Sequence, residues 1–304
     1  MEMQPWFVSE DFTEHEGYRA LGPGQREWVH KYRRDGYMVL ENPGIDTTTL
    51  DAATAQLRSA YIQSAAGYSA PSRVQDAWQC SPAVREIATS STILEVLGVL
   101  YQNAPVPFQT LNFEYGTEQR AHSDTIHFNT LPHGFMCGVW VALEDIDASN
   151  GPLFYYPGSH KLPVFHMSDL GLEPGADRYP QYEDRIEQVL GDSNFRRETA
   201  LLKRGQAFIW SSNIFHGGSR ILDATRTRRS QVTHYYFPGC IYYTPLLSDP
   251  QNQRWMLRRV KDIRTQKSVP DYQGIEQRAP ERPRKCRRNL LRHFPLFTHR
   301  KDRG

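Results

Sequence analysis

Cysteine is scarce in this chain and follows no pattern. Its four thiols, Cys80, Cys137, Cys240 and Cys286, stand apart without a CxxC pair. That spacing excludes a zinc knuckle and a disulfide framework as organising devices and leaves reduced, buried thiols as the expectation. No run approaches the roughly 20 apolar residues that span a bilayer. The opening stretch, residues 1–28, is acidic and polar rather than basic and then apolar, so a cytoplasmic protein with no membrane partner is expected. Internal repeats and low-complexity tracts are also missing. Strong net charge is absent too, at +2, but the charge is unevenly placed. Residues 254–304 carry 16 Lys and Arg against 5 Asp and Glu, while residues 1–253 carry 20 against 29. Such a tail can meet nucleic acid, anionic lipid or an acidic protein. The expected arrangement is an extension docked on its own acidic body, so nucleic acid is not the anticipated partner, and oligomeric state is left open.

What is present fits one folded domain. The 304 residues are 39% hydrophobic and 23% charged, ordinary values for a globular protein with one substantial core. The first third reads as helical: residues 25–37, 47–65 and 81–100 carry apolar residues near helical spacing, with a small strand at Met38–Leu40 between the first two. From Pro105 the texture changes to short apolar or alternating runs between Gly and Pro turns, at residues 108–115, 135–143, 153–156, 207–210 and 231–237. Helices in front and many strands behind predict an antiparallel barrel or double-sheet jelly roll flanked by helices. A long polar insertion follows His160 and ends near Leu201; its aromatics, Tyr179 and Tyr182, suggest a lid.

His122-Ser123-Asp124 follows the strand at 108–115, and in extended backbone its first and third side chains project to the same side. Far along the chain, Phe208-Ile209-Trp210 leads into His216. Two imidazoles and one carboxylate on one face of a metal leave three coordination positions open. An Fe(II) centre uses that vacancy to take 2-oxoglutarate at two positions and O2 at the third. The far carboxylate of such a keto acid is a buried charge that needs a cation, and arginine can bond both of its oxygens. Residues 220–229 offer Arg220, Arg226, Arg228 and Arg229.

Five motifs in order sharpen this reading: His122-Ser123-Asp124; Gly138-Val139-Trp140-Val141-Ala142-Leu143-Glu144-Asp145; Asn150-Gly151-Pro152-Leu153; Pro157-Gly158-Ser159-His160-Lys161; and His216-Gly217-Gly218-Ser219. Together with the Gly36-Tyr37 to Leu40 opening they resemble the phytanoyl-CoA dioxygenase family over roughly residues 25–240. The resemblance implies a double-stranded β-helix fold (mainly β with flanking helices, cupin-like), with Fe(II), 2-oxoglutarate and O2 as cofactor and co-substrates, and release of succinate and CO2. It makes His122, Asp124 and His216 the metal ligands. It places Arg228 as the anchor for the distal carboxylate, with Arg226 in reserve and Arg229 facing away, and it puts Ser219 and Trp140 beside the co-substrate.

Three further residues are weighed from the sequence itself. Among Gln109, Thr110 and Asn112, Asn112 shares parity with His122 and Asp124 if no bulge intervenes, which makes it a candidate contact for 2-oxoglutarate. His127 is aimed away from Asp124 in an extended strand and is expected to pack or to touch substrate. His160 sits in a Pro-Gly-Ser-His turn and is expected to bond local backbone.

The domain organisation expected is an oxygenase domain over residues 1–250, with helices at 1–104, a β-helix core at 105–240 and the lid-like insertion at 161–200, followed by a basic extension at 251–304. The expected reaction is hydroxylation of an unactivated C–H in a small-molecule or carrier-bound metabolite, with desaturation, cyclisation or epimerisation as variants on the same cofactors. A non-catalytic metal-binding β-barrel and a metal-dependent hydrolase are the rival classes; the second would want an additional general base.

Overall fold

The computed structural model describes residues 4–67 and 73–269. Helices come first, as their sequence signals require. Helix α1 (Glu16–Arg19) is a single turn, and α2 (Pro23–Asp35) opens with proline at its first position, where a missing N–H costs nothing. It stops at Gly36, whose φ of 80° is the left-handed conformation that glycine adopts most readily. Strand β1 (Tyr37–Leu40) follows at once, then α3 (Thr47–Gly67), the short strand β2 (Arg73–Gln75), α4 (Pro82–Ala88) and α5 (Ser91–Tyr101). The single helix expected over 81–100 is therefore two. Ser90 breaks it: its hydroxyl accepts from the Ile93 N–H and donates to Pro43 O, capping the second helix.

The remaining strands are β3 (Val106–Phe113), β4 (Asn129–Leu131), β5 (Met136–Ala142), β6 (Leu153–Tyr155), β7 (Glu198–Ala200), β8 (Ala207–Ser211), β9 (His216–Gly218), β10 (Ser230–Tyr236) and β11 (Ile241–Tyr243). Six of the strands form one antiparallel sheet in the order β1-β8-β5-β10-β3-β2, and β7-β6-β9 form a smaller one. This is the double-sheet, helix-flanked architecture that the sequence predicts.

Strands β5, β8 and β10 are buried along their whole length; β5 and β8 read as near-continuous apolar runs, β10 carries Ser230, Gln231, Thr233 and His234 as well, and the two faces of all three do different work. Cys137, Val139, Val141, Ala207, Ile209 and Tyr235 pack in the core shared with α2 to α5. Trp140, Ala142, Phe208, Trp210 and Val232 pack in a second core with Tyr155 and Leu153 of the smaller sheet. Each fully buried aliphatic or aromatic side chain in these layers contributes roughly 1.5–3 kcal/mol.

The insertion contains a helix that its prolines hid: α6 (Tyr179–Gly191), with Tyr179, Tyr182, Ile186 and Leu190 buried against Ile126, Phe154 and Phe215. The start of the expected basic extension is built into the fold. The Ile263 N–H donates to Pro107 O, and Ile263 and Val260 are buried. Residues 270–304, which carry most of the basic tail, lie outside the described residues. Among those described, no helix is long and apolar enough to cross a membrane.

Candidate active site

Backbone pairing brings the two distant histidines together. His122 and His216 exchange both main-chain hydrogen bonds at 2.9 Å, forming an isolated bridge in which opposed side chains leave on the same side. Their ring centroids are 4.6 Å apart. Ser123 then keeps extended backbone (φ −108°, ψ 140°) and caps the short turn Asp124–Ile126, which delivers the Asp124 carboxylate to the same spot. One donor atom from each of His122, Asp124 and His216 lies within 4.8 Å of the other two, and all three residues are buried.

The surroundings orient these donors. His122 Nδ1 is 3.0 Å from Arg120 O and His216 Nδ1 is 3.1 Å from Ile214 O, so in both rings the Nδ1–H is given to a backbone carbonyl and Nε2 is the ring atom left to meet a metal. Burial, reinforced by the charge of His216, pushes the His122 imidazole down to about 4. Burial alone would raise Asp124, but His216 and then His234 hold its carboxyl well below the usual carboxylate range. The carboxylate's two oxygens face different groups. Oδ1 lies 3.9 Å from His216 Nε2, while Oδ2 accepts from Trp210 Nε1 at 2.8 Å and lies 3.5 Å from His234 Nε2.

Trp210 reaches Asp124 because Gly138, its partner in the β5–β8 register, has no side chain. A Cβ on Gly138 would sit 2.3 Å from the indole ring. The GVW motif therefore needs its glycine for close approach of a side chain rather than for a turn.

Arg228 lies just before β10 and is buried, with no acidic side chain among the described residues at ion-pair distance. Its Nη2 donates to Tyr115 O at 3.2 Å and its Nη1 to Ser230 Oγ at 3.3 Å, but Nε has no partner. The guanidinium lies 5.4 Å from the Phe113 ring and 5.3 Å from the Trp140 ring, and Trp140 Nε1 is likewise buried without a partner. Burial lowers Arg228 to about 10. A buried cation and a buried indole N–H thus lie side by side with donors to spare, a costly arrangement for the protein alone.

The other arginines are spent elsewhere. Arg226 is part-exposed and bonds Asp147 and Ser149 at 2.6 and 2.7 Å; Arg229 pairs with Glu144 at 3.5 Å. Ser219 follows β9, with its N–H on Pro152 O.

Asn112 departs from its expected place. Strand β3 ends at Phe113 and the chain then runs through a loop to His122, so the parity argument does not carry across. Asn112 sits opposite Gln231 and donates to its Oε1, while Gln231 donates to Val84 O of α4. Both side chains thus turn toward the helices, away from the metal cluster.

His127 stacks on Tyr179 of α6, with ring centroids 5.0 Å apart, and is not part of the cluster. His160 bonds Arg33 O at the end of α2, a backbone role as expected. The residues that sequence reasoning passed over are His234, Trp210, Gly138 and Gln119, whose Nε2 stands 3.4 Å from His122 Nε2. Alternation along β10 was the available signal for His234, which lies an even number of positions beyond Arg228.

The chain is similar to several known proteins. "Phytanoyl-CoA dioxygenase domain-containing protein 1" of Mus musculus is 32% identical over 83 residues, 26% of this chain and 28% of its own. The same protein of Rattus norvegicus is 32% identical over 162 residues, 43% of this chain and 56% of its own. The chain thus spans little more than half, or less, of the curated relatives it matches. The fold is shared with the epimerase SnoN in complex with Fe3+, α-ketoglutarate and nogalamycin RO, at TM-score 0.55, 23% identity, and coverage of 77% of this chain and 98% of that one. EctD from S. alaskensis with 2-oxoglutarate and 5-hydroxyectoine gives TM-score 0.56 and 16% identity over 81% and 85%. The family model for phytanoyl-CoA dioxygenase (PhyH) matches residues 32–230, a stretch that contains His122, Asp124, His216 and Arg228, and the chain belongs to that family.

Proposed function

We propose that the protein is a non-haem Fe(II)- and 2-oxoglutarate-dependent dioxygenase. In this reading His122, Asp124 and His216 hold the iron, and Arg228 with Trp140 receives the distal carboxylate of 2-oxoglutarate. The observation that carries the reading is the pairing of a buried His-Asp-His cluster with a buried guanidinium that, among the described residues, no acidic side chain pairs with.

The donor set suits Fe(II): two neutral imidazoles and one carboxylate are the facial set of non-haem Fe(II) oxygenases. When bound, iron would supply the oxidative decarboxylation in which O2 and 2-oxoglutarate give succinate and CO2 and the second oxygen atom of O2 oxidises a C–H bond. The chain's residues do the arranging. Arg120 O and Ile214 O fix the histidine tautomers, and Trp210 and His234 occupy Asp124 Oδ2 so that Oδ1 faces the metal. The Arg228 Nε and Trp140 Nε1 donors orient the co-substrate, and Phe113 together with the second core keeps water from that end.

Hydroxylation of an unactivated C–H in a small-molecule or carrier-bound metabolite is the outcome we assign. With Asp124 as the third protein ligand, the metal would have no position for a further anion beside the co-substrates, which argues against incorporation of such an anion and favours hydroxylation, with desaturation, cyclisation or epimerisation as variants. A panel of candidate metabolites tests this. With the true substrate, succinate release rises and tracks formation of a product heavier by one oxygen, whereas a product lighter by two hydrogens would shift the assignment to desaturation or cyclisation. Absence of 2-oxoglutarate turnover with every metabolite would reject the reading.

A further inference from the structure

One of the lone pairs that would meet the metal has a partner within the chain. His122 gives its Nδ1–H to Arg120 O, so its Nε2 is an acceptor with a single lone pair, and Gln119 Nε2 stands 3.4 Å from it. Of the two ends of that amide only the NH2 can face a lone pair, because the carbonyl end would set two acceptors against each other. Gln119 therefore donates to the ring atom that His122 offers to the cluster. A metal takes an imidazole nitrogen along the same lone pair, at roughly 2.1 Å. Amide and metal cannot both have it.

The backbone that carries Gln119 is held from three sides. Gly217 and Gly218, which follow His216, let it lie directly on β9: a Cβ on Gly217 would meet Gln119 O at 2.5 Å, and one on Gly218 would meet Glu118 N at 2.8 Å. The Gly218 N–H donates to Gln119 O at 2.8 Å. Glu118 takes a φ of 49°, a left-handed conformation that residues other than glycine rarely adopt, and its Oε1 accepts the Ile221 N–H at 2.8 Å. Arg120, on the other flank, pairs with Glu187 and Asp184 of α6 at 2.6 and 2.8 Å. The Gln119 side chain itself is only part-buried, and its bond to His122 lies beyond the usual length. Giving up that bond takes a side-chain rotation and no movement of the backbone.

We propose that Gln119 is a positioning residue that sets the metal affinity of the site: its amide directs the His122 lone pair into the cluster, and a divalent cation must displace that amide to bind. The proposal rests on the oxygenase reading for the identity of the ligands. Its sign sets it apart. Loss of a group that supports a ligand from behind weakens metal binding, whereas loss of a donor that competes for the ligand's lone pair strengthens it.

Anaerobic titration of the chelator-treated full chain with Fe(II), and in parallel with Zn(II), tests it. Gln119→Leu keeps the bulk of the side chain and removes the donor, so it should bind either cation about 2–10-fold more tightly, the weight of one neutral hydrogen bond. Its urea midpoint without metal should fall, because the buried His122 acceptor loses its partner, and the rise in midpoint on adding either cation should exceed that of the wild type. A merely structural role would lower the first and leave the second unchanged. Gln119→Ala also cannot donate and has no bulk to clash, so it should shift affinity in the same direction and decides the matter if the leucine does not fit. Binding in Gln119→Ala that is equal to or weaker than in the wild type overturns the inference alone, since the visible band of the Fe(II)–2-oxoglutarate complex reports separately on the oxygenase reading. A wild type that binds neither cation, or binding that survives His216→Ala, overturns both.

Discussion

Trp210 donates its indole N–H to Asp124 Oδ2 at 2.8 Å, across a strand where only the missing side chain of Gly138 leaves room for the ring. The hydrogen bond links the second core to the carboxylate that would bind the metal. Trp210→Phe keeps most of the packing and removes the donor, so Fe(II) affinity should fall about 10–100-fold, the usual cost of losing a partner behind a metal ligand. Gly138→Ala should weaken Fe(II) by the same route and destabilise the fold by about 1–3 kcal/mol through overpacking. Urea midpoints and Fe(II) titrations check both, and unchanged affinity in Trp210→Phe would show that the indole does not position Asp124.

His216→Ala removes one donor while its backbone bridge to His122 can persist. The wild-type unfolding midpoint should rise with added Fe(II) under anaerobic conditions, by about 2.7 kcal/mol at 100 times the dissociation constant. The variant should remain folded and show no such rise. A variant that still gains stability from Fe(II) would place the metal elsewhere.

Arg228 and Arg226 should separate cleanly. Replacing Arg228 by Gln leaves a bound carboxylate unpaired in a buried site, a loss of about 3–5 kcal/mol, so 2-oxoglutarate affinity should fall by at least two orders of magnitude. Without 2-oxoglutarate the apolar Arg228→Met should be neutral or stabilising, because an unanswered buried charge is removed. Arg226→Gln breaks a part-exposed pair with Asp147 and a bond to Ser149 and should leave both stability and co-substrate affinity essentially unchanged. Comparable losses of 2-oxoglutarate affinity in both variants would contradict the assignment.

Acid should destabilise the metal-free protein from about pH 6.5 downward, through its histidines. Burial holds His122 and His160 at about 4 and His127 at about 3, below the ordinary histidine value. The unfolded chain therefore binds protons on these residues that the folded chain refuses, and stability falls as pH drops from about 6.5 toward 4. Glu183 runs the other way. Burial raises its carboxyl to about 7, so the folded state holds a proton there between about 4.5 and 7, and stability from this residue falls as pH rises. Three groups outweigh one, and urea midpoints at pH 7 should exceed those at pH 5. The slope should lessen in His160→Gln, which lies away from the metal cluster. A flat or inverted profile would contradict the buried, neutral state of these histidines.

The His-Asp-His cluster was legible because its motifs are local and ordered: HxD, the GVW strand and the HGG strand each keep their residue types on the page. The path between them was not. Parity reasoning carried Asn112 toward the site because nothing in the sequence marks the end of β3 at Phe113, and a loop resets the alternation. Ser90 split a helix by bonding backbone with its hydroxyl, a competition that apolar periodicity does not register. Helix α6 was hidden by Pro180, which reads as a breaker but sits in the first turn, where proline is tolerated. Trp210 and His234 carry no motif, and their roles arise only when three strands are laid side by side.

The account turns on one buried cluster binding Fe(II) and 2-oxoglutarate together. Anaerobic addition of 2-oxoglutarate to the Fe(II)-loaded protein measures this directly: the wild type should develop a weak visible charge-transfer band that saturates at one equivalent, and His216→Ala should develop none. No band in the wild type, or a band of equal strength in His216→Ala, would contradict it.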